Sequence, residues 1–392
     1  MVEGVVERRR FGKTNLYVTE LSYGAMNLRQ LDTIEEAYEI LDYVLHQGIN
    51  LIDTARAYNG INGQGQKVES EELVGNAISN YDDLDEPIVV ITKGHGYEIK
   101  QLEEELETSL NKLGVKGKHS LKIGDNDIKL VYLFHGINEN RWETMTSSGV
   151  LDRARQLKAQ GIINFIGFSS HYAQKDTIKK ALDTNIFDVV ELPYNIFNRS
   201  LGEDGGDRNL LKYAYEKDVG IINMKAFNGN GMNSIYEIIK DYVSIGYQSM
   251  LNFCLANPYI STVDAGAKYI SEFKQDLKTA LGTRLSQSQI ESLKKEADKV
   301  SPYMSDICRE CMHCMEKFEC NQKIDFPGIL SLYSRYLISK KLDRQIAEFK
   351  KEYQEFDLNA TDCTECGECL EWCEYDLEIP EMLSRAHQEL KD

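Results

Sequence analysis

The stretch Asn50-Leu-Ile-Asp-Thr-Ala-Arg-Ala-Tyr58 carries the strongest indication of the fold. The apolar pair Leu51 and Ile52 is typical of the end of a buried strand, and Asp53 follows directly at its carboxyl end. Tyr58 lies five residues further on, in the loop that the strand leads into. If the strand belongs to a barrel of parallel strands, this end lies on the face where such barrels carry their chemistry.

Two later strand-like runs repeat this arrangement. Ile88-Val-Val-Ile-Thr-Lys93 ends in a lysine, and Leu130-Val-Tyr-Leu-Phe-His135 ends in a histidine. In a parallel barrel the carboxyl ends of all strands meet on one face. We therefore expect Asp53 and Tyr58 to share one site with this lysine and this histidine.

Segments of strand length and helix length alternate through most of the chain. Eight such units predict an α/β fold, namely a (β/α)8 TIM barrel, and the lack of Gly-x-Gly-x-x-Gly after the first strand disfavours a doubly wound sheet. The predicted strands are Leu21–Gly24, Asn50–Thr54, Ile88–Thr92, Leu130–Phe134, Phe165–Ser169, Val189–Pro193, Gly220–Met224 and Thr262–Ala265. The predicted helices lie near Ile34–Gln47, Ser70–Asn80, Gln101–Leu113, Trp142–Gln160, Asp176–Thr184, Asn209–Lys217, Ile235–Ala256, Ile270–Ala280 and Leu285–Val300.

Three other segments should surround the barrel. Residues 5–20 alternate polar and apolar side chains around Gly12-Lys13-Thr14-Asn15, which predicts a hairpin that closes the bottom of the barrel. The connection 114–129 precedes the strand that ends at His135, so it should lie at the same bottom face. The glycine-rich connection 59–69 follows Tyr58 and is expected to form a wall of the pocket.

Composition limits the classes of partner. The 392-residue chain has a net charge of −18, which disfavours nucleic acid because phosphate binding needs basic patches. No apolar run approaches the ~20 residues of a membrane span, and no secretory signal is visible at the N-terminus. We therefore expect a cytoplasmic protein that binds neither nucleic acid nor membrane.

The residues at the strand ends resemble the catalytic tetrad of the aldo-keto reductases. Three motifs support this resemblance: Asp-Thr-Ala-x-x-Tyr with Asp53 and Tyr58, Thr-Lys-Gly with Lys93, and Leu-Phe-His-Gly with His135. Further likenesses are Ser70-Glu-Glu-Leu-Val-Gly75, Gly167-Phe-Ser-Ser170 and Pro193-Tyr-Asn195, and the resemblance spans about residues 6–300. It implies an NAD- or NADP-dependent oxidoreductase that transfers hydride between nicotinamide and a small carbonyl or alcohol substrate.

Carbonyl reduction needs these residue types. Hydride transfer to a carbonyl leaves an alkoxide, which Tyr58 would protonate as the general acid. The Lys93 ammonium would stabilise the phenolate that remains. Asp53 would hold that lysine in place, and His135 would orient the carbonyl oxygen. Taken singly, each residue has a structural explanation, because an aspartate after a strand often caps a helix and a histidine often belongs to the core.

The resemblance also implies contacts with the nicotinamide. Ser169 and Ser170 would face its carboxamide, and Met224 and Lys225 would end the seventh strand beside the nicotinamide and the phosphates. Ser170 and Glu191 stand where the family usually has asparagine and glutamine. A carboxylate at 191 can accept a hydrogen bond from the amide but cannot donate one.

The adenosine end of the cofactor is implied to lie along Gly266, Lys268, Glu272 and Asp276. An acid at 272 would repel the 2′-phosphate of NADP, whereas Lys268 would attract it. The balance favours NAD(H) over NADP(H), and both remain open at this point.

Eight of the nine cysteines lie in two runs near the C-terminus. Three cysteines at a spacing of two, with a fourth a little later, are typical of ligands to a [4Fe–4S] cluster. A tetrahedral zinc site would need only two Cys-x2-Cys pairs. The runs are Cys308, Cys311, Cys314 and Cys320, followed by Cys363, Cys366, Cys369 and Cys373. The ninth, Cys254, lies in an apolar helix and is expected to belong to the core.

The two runs repeat beyond their cysteines. Cys320–Leu330 aligns with Cys373–Leu383 without a gap, and Pro327 and Pro380 match at positions that suit the first turn of a helix. This repeat resembles the mainly helical two-cluster ferredoxins, although the first run has five residues before its fourth cysteine instead of three. The resemblance implies crossed ligands. One cluster would take Cys308, Cys311, Cys314 and Cys373, and the other Cys363, Cys366, Cys369 and Cys320.

The sequence thus predicts two domains, a barrel over 1–300 and a ferredoxin-like iron–sulfur domain over 301–392. Residues 301–392 contain 20 acidic and 11 basic side chains, a net charge of −9, which suits either a solvated surface or a docking face for an electron-transfer partner. The first hypothesis is a carbonyl/alcohol oxidoreductase with structural clusters. The second is an electron-transfer protein that couples the barrel to an outside partner, and the third is a redox sensor. Five aromatic residues indicate a pocket suited to a sugar or ring compound: Tyr23, Tyr58, Tyr97, Tyr172 and Phe227.

Overall fold

The computed structural model describes residues 4–81, 86–171, 175–203, 209–229, 231–304 and 318–370, with shorter stretches at 307–308, 310, 314–315, 372–373 and 377–391. The chain forms two compact units. The first comprises Met1–Tyr194, Arg199–Ala226 and Leu251–Leu285. The second comprises Asn195–Asn198, Phe227–Met250 and Ser286–Asp392.

The first unit is a closed barrel of eight parallel strands, as the sequence predicts. Each strand pairs with the next in the chain, and the last pairs with the first through Val263 opposite Leu21. In chain order, β1–β8 are Leu21–Gly24, Leu51–Asp53, Ile88–Gly94, Asn126–Phe134, Phe165–Ser169, Val189–Pro193, Gly220–Met224 and Thr262–Ala265. Lys93 therefore lies within β3, because this strand continues to Gly94.

The predicted N-terminal hairpin closes the lower end of the barrel. Strand Arg8–Arg10 pairs antiparallel with strand Tyr17–Thr19, and the turn between them carries the fully buried Phe11. Phe11 packs with Leu51, Val89 and other residues near the starts of the barrel strands. Apolar contact with several strands at once explains why this short hairpin has a fixed position.

Two short hairpins occupy connections of the barrel. Strand Asn59–Ile61 pairs with strand Lys67–Glu69 in the connection that follows Tyr58. Strand Val115–Lys116 pairs with strand Leu121–Ile123, which in turn pairs with the start of β4. The second hairpin precedes β4, so it lies at the lower end, as the sequence predicts.

The described α-helices follow the predicted alternation with two corrections. The predicted helix Trp142–Gln160 is two helices, because Gly149 adopts the left-handed conformation with φ 78° between them. The predicted helix Ile235–Ala256 is also two helices, separated by residues 240–246, where Val243 and Ile245 turn into the core. The helices are Ile34–His46, Ser70–Ser79, Ile99–Leu113, Glu139–Ser147, Val150–Ala159, Lys175–Asp183, Ser200–Glu203, Leu210–Glu216, Met232–Ile239, Tyr247–Leu255, Ile270–Ala280, Gln287–Asp298, Phe326–Lys341, Ala347–Gln354 and Ile379–Leu390.

The second unit is mainly helical and has its own apolar core. Leu330, Tyr333 and Tyr336 of helix Phe326–Lys341 pack with Met382 and Leu383 of helix Ile379–Leu390. Several of the cysteines pack against the same core. The described parts of the chain contain no helix long and apolar enough to cross a membrane.

The internal repeat is visible in the backbone of the second unit. Helices Phe326–Lys341 and Ile379–Leu390 both carry proline in their first turn, at the two predicted positions. The residues that precede them, Asp325 and Glu378, have nearly the same conformation, with φ −76° and ψ 68° in one and φ −73° and ψ 68° in the other. The sequence repeat therefore corresponds to a structural repeat.

Candidate active site and cysteine cavity

The barrel brings the four predicted catalytic residues together at the carboxyl ends of its strands. Asp53 ends β2, Lys93 lies in β3 beside it, and His135 follows β4. Tyr58 is fixed by backbone hydrogen bonds, since its N–H donates to Ala55 (3.0 Å) and its carbonyl oxygen accepts from Ser70 (2.9 Å). The loop after β2 thus holds the phenol over the buried lysine.

Lys93 is the centre of this site and is completely buried. Its ammonium donates to the carboxylate of Asp53, to the Tyr58 hydroxyl oxygen at 3.3 Å and to the Thr54 carbonyl oxygen at 3.3 Å. A carboxylate oxygen of Glu191 lies 3.5 Å from the same nitrogen. The ammonium is therefore surrounded by acceptors, and one of them is the phenol.

The anionic surroundings keep Lys93 charged despite its burial. Burial acts to lower the pKa of Lys93, but Asp53, Glu191 and Tyr58 outweigh it, so that the pKa is raised well above its ordinary value. A permanent cation next to the Tyr58 hydroxyl stabilises the phenolate that forms once the proton has left. The site can thus support proton donation by a phenol.

A third carboxyl group, which the sequence did not lead us to expect, completes an acidic trio with two buried members and one half-buried member. We define the acidic trio as Asp53, Glu191 and Asp264, of which one carboxylate oxygen each lies within 4.8 Å of the others. Burial raises the pKa of Asp53, Lys93 opposes this shift, and the other two members of the trio add to it. Asp264 belongs to β8, where its neighbours Val263 and Ala265 are apolar. The short apolar pattern predicts a strand and does not indicate a site residue within it.

Three imidazoles lie side by side at the same barrel end. The ring of His135 lies 4.7 Å from that of His95 and 5.8 Å from that of His171, centroid to centroid. Its edge-to-face neighbour on another side is Tyr58, at 6.0 Å. Sequence reasoning missed His95 and His171, although they follow predicted strands by three and two residues, close to the spacing that identified His135.

The residues predicted to contact the nicotinamide lie around the same barrel end. Ser169 accepts a hydrogen bond from the backbone N–H of Gly136 (2.8 Å), and Ser170 donates to the Ile137 carbonyl oxygen (3.1 Å). Both serines are buried, so their hydroxyl groups fix the loop that follows His135. Met224 ends β7, and Lys225 follows it in the left-handed conformation with φ 61°.

The residues predicted for the adenosine end lie at the start of helix Ile270–Ala280. The carboxylate of Glu272 accepts hydrogen bonds from the backbone N–H groups of Lys268 (2.7 Å) and Tyr269 (3.2 Å). Burial, with help from Glu272, raises the pKa of Asp276 to about 8. Gly266, directly after β8, accepts a hydrogen bond from Asn27. These contacts place an anion at the helix N-terminus.

The proposed aromatic pocket is only partly described. Tyr23 is completely buried and donates to the Ala267 carbonyl oxygen (3.2 Å), which makes it a core residue. Tyr97 donates to the carbonyl oxygen of His135 and so supports the site from one side. Phe227 belongs to the second unit, and Tyr172 lies outside the described residues.

The second unit contains a cavity lined by four cysteines. They are Cys320, Cys363, Cys366 and Cys369, together with apolar side chains that include Phe326 and Leu383. Burial raises the pKa of the Cys369 thiol to about 11, and its three cysteine neighbours add to the shift. Four thiols on one apolar cavity fit a soft metal centre, which binds thiolates and compensates their charge.

The cysteines of the other predicted set are only partly described. Cys308, Cys314 and Cys373 pack against the core of the second unit, and Cys311 lies outside the described residues. Glu310 and Glu365 take equivalent places in the two runs, and both have the left-handed conformation, with φ 51° and 53°. The two runs thus share an uncommon local backbone. Cys254 is completely buried in the first unit, as predicted.

Sequence comparison relates this chain to oxidoreductases. The model of the aldo/keto reductase family matches residues 20–276 and ends before the first cysteine run. YqkF of Bacillus subtilis, an uncharacterized oxidoreductase, is 24% identical over 327 residues, covering 74% of this chain and 95% of that protein. The aldo-keto reductase YhdN of the same organism is 29% identical over 186 residues, covering 46% of this chain and 49% of that protein.

Solved structures share the barrel. The holo form of the aldo-keto reductase AKR11C1 from Bacillus halodurans gives a TM-score of 0.58 at 21% identity, with 74% of this chain and 96% of that chain covered. A putative aldo-keto reductase from Pseudomonas aeruginosa gives a TM-score of 0.53 at 21% identity, with 70% and 94% covered. At this identity the likeness establishes the fold.

Proposed function

This chain belongs to the aldo/keto reductase family and is an oxidoreductase of that type, and we propose that it transfers hydride between a nicotinamide dinucleotide and a carbonyl or alcohol substrate. Tyr58 is the general acid for reduction and the general base for oxidation. The single observation that carries this proposal is the hydrogen bond, 3.3 Å long, between the buried Lys93 ammonium and the Tyr58 hydroxyl group.

Each residue of the tetrad has a distinct task. Bound nicotinamide supplies or accepts the hydride. Tyr58 gives its proton to the oxygen of the carbonyl as charge develops there, and Lys93 stabilises the resulting phenolate. Asp53 holds the ammonium in place through a direct ion pair. His135, whose ring lies beside that of Tyr58, orients the carbonyl oxygen.

The nucleotide is proposed to lie along Ser169, Ser170, Glu191, Met224, Lys225, Gly266, Lys268, Glu272 and Asp276. NAD(H) is the preferred cofactor. Glu272 uses its carboxylate to cap helix Ile270–Ala280, which puts a negative charge at the place where the 2′-phosphate of NADP would need a cation. Lys268 lies over the ring of Tyr269 (5.3 Å to the centroid) and is the one basic residue of the set that opposes this preference.

For residues 301–392 we propose a ferredoxin-like domain with two [4Fe–4S] clusters, while residues 1–300 form the catalytic domain. One cluster is held by Cys363, Cys366, Cys369 and Cys320, and the other by Cys308, Cys311, Cys314 and Cys373. The crossed assignment is supported by the cysteine cavity, because Cys320 of the first run lines it with three cysteines of the second. The clusters stabilise a unit whose apolar core includes several of their ligands.

A second candidate function is electron transfer to an outside partner. It is favoured by Cys366, which lines the cysteine cavity and is exposed to solvent. A cluster at that position would exchange electrons with a docked protein attracted by the acidic tail. Hydride carries two electrons, however, whereas a [4Fe–4S] cluster accepts one. This function therefore also needs a group that accepts two electrons and passes them on one at a time.

The cofactor proposal is tested by titrating the anaerobic full-length protein with NADH and NADPH and recording nucleotide fluorescence. We expect NADH to bind about tenfold more tightly than NADPH, which corresponds to about 1.4 kcal/mol from one unfavourable charge contact. The variant Glu272→Gln should reduce this difference in affinity between NADH and NADPH. The matched control Glu291→Gln, on an exposed helix, should leave the difference unchanged. Failure of both nucleotides to bind would contradict the proposed function.

A further inference from the structure

Asp264 differs from the other two members of the acidic trio in its polar contacts. Asp53 forms an ion pair with Lys93, and Glu191 lies 3.5 Å from the same ammonium. Asp264 accepts a long hydrogen bond of 3.4 Å from Ser22. It is half-buried. Among the described residues, Asp264 is therefore the member of the trio without an ion pair to Lys93.

The charge balance of this cluster requires a proton. Three ionised carboxylates around one ammonium would give a net charge of −2 inside the barrel, since one carboxylate oxygen of each member of the trio lies within 4.8 Å of the others. Carboxylates at such distances cannot all ionise readily, and one of them takes up a proton. Asp53 and Glu191 both lie next to the Lys93 ammonium, which favours their charged forms, so the proton is assigned to Asp264.

The electrostatic surroundings of Asp264 support the assignment of the proton to this residue. Burial raises the pKa of Asp264 to about 7, Glu191 adds to the shift, and Lys93 and the hydrogen bond from Ser22 oppose it. Tyr23 of β1 is the other titratable neighbour, and burial, with help from Asp264, raises its pKa beyond the range in which it could lose a proton. Burial raises the pKa of Asp53 as well, but its direct ion pair with Lys93 favours the carboxylate form, which leaves Asp264 as the member that takes the proton.

We propose that Asp264 is a positioning residue of the tetrad, which holds a proton and thereby keeps the buried cluster at one net negative charge. The inference rests on the proposed function, because it acts through Lys93 on Tyr58. When Asp264 ionises, the additional negative charge weakens the electrostatic stabilisation of the Tyr58 phenolate by the Lys93 ammonium. Tyr58 then keeps its proton to higher pH, which favours carbonyl reduction over alcohol oxidation.

The first test is the pH profile of alcohol oxidation, which requires Tyr58 to be deprotonated. In Asp264→Asn the cluster keeps one net negative charge at every pH, so the midpoint of the profile should move to lower pH by about one unit, the scale of a buried charge at a distance of several ångströms. Asp188→Asn is the matched control, since Asp188 pairs with Lys158 and precedes β6 at the opposite barrel end. An unchanged midpoint in Asp264→Asn, or an equal shift in the control, would overturn the proposal.

The second test needs neither cofactor nor substrate. The native state holds the Asp264 proton up to about pH 7, whereas an unfolded aspartate releases it near pH 4. The stability that this proton contributes is present at low pH and is lost as the pH rises toward 7. The melting temperature of the natural chain relative to Asp264→Asn should therefore fall between pH 5 and pH 7, and a constant difference would overturn the proposal.

These two tests separate the inference from the proposed function. If no nucleotide-dependent turnover is found but the melting difference changes with pH, the proposed function fails and the protonation of Asp264 stands. If turnover is found but neither the profile nor the melting difference responds, the inference fails alone. Should Asp264→Asn not fold, Asp264→Ser removes the same charge with a smaller side chain, and the same two shifts are expected.

Discussion

Replacing Tyr58 with phenylalanine is expected to reduce the turnover number by about 10²–10⁴-fold, the range in which a positioned general acid contributes. The variant loses only the hydroxyl group that accepts a hydrogen bond from Lys93 at 3.3 Å. The ring keeps its edge-to-face contact with His135, so the shape of the site is preserved. Nucleotide affinity should therefore remain within about twofold of the natural chain, because no proposed nucleotide contact involves this hydroxyl.

The measurement is steady-state turnover together with nucleotide binding, both on the anaerobic full-length protein. Tyr213→Phe is the matched control, since it removes a phenol hydroxyl that donates to the carboxylate of Asp183 on an outer helix and not to the site. The control should keep its turnover within severalfold. Turnover of Tyr58→Phe equal to that of the natural chain would show that the proton comes from elsewhere and would contradict the mechanism.

Replacing single cysteines is expected to remove whole clusters. A chain with two [4Fe–4S] clusters holds about eight iron atoms, and the loss of one thiolate ligand should leave about four. Cys363→Ala and Cys320→Ala should each reduce the iron content by half, because both residues line the same cavity. Iron and sulfide analysis of the anaerobically purified protein provides the measurement, and absorption near 400 nm should fall in proportion.

The double variant Cys320→Ala/Cys363→Ala distinguishes crossed from sequential ligands. Crossed ligation predicts about four iron atoms, as in either single variant, whereas sequential ligation predicts the loss of both clusters. Cys254→Ala is the control, because this buried cysteine belongs to the barrel unit and should leave about eight iron atoms. Zinc in place of iron in the natural chain would contradict the cluster assignment altogether.

The barrel could be predicted from the sequence because its strands are short apolar runs with a clear start and end. Val189–Pro193 and Gly220–Met224 have the predicted bounds, since parallel strands are buried on both faces and read as continuous apolar segments. The candidate catalytic residues Asp53, Lys93 and His135 were indicated by the same pattern, as each lies where such a run meets polar residues, and Tyr58 was indicated by its motif with Asp53. Their mutual distances were not predictable, because they depend on the register between strands.

Other features needed the structure. The helix predicted over 142–160 continues in its apolar periodicity through Gly149, and only the left-handed conformation of this glycine divides it. Asp264 was hidden because a single charged residue in a four-residue strand does not alter the apolar pattern. Its proximity to Glu191 and Asp53 depends on the pairing of β8 with β1, which only the structure shows. Long-range pairing of this kind leaves no local pattern in the chain.

One anaerobic titration distinguishes hydride transfer to a carbonyl from electron transfer to the clusters. The cluster-loaded protein is mixed with NADH while absorption is followed at 340 nm and near 400 nm, and a panel of aldehydes and ketones is then added. Both bands should persist until a carbonyl compound is present, after which only the 340 nm band should decay. Bleaching near 400 nm on addition of NADH alone would contradict this expectation and would favour electron transfer through the clusters.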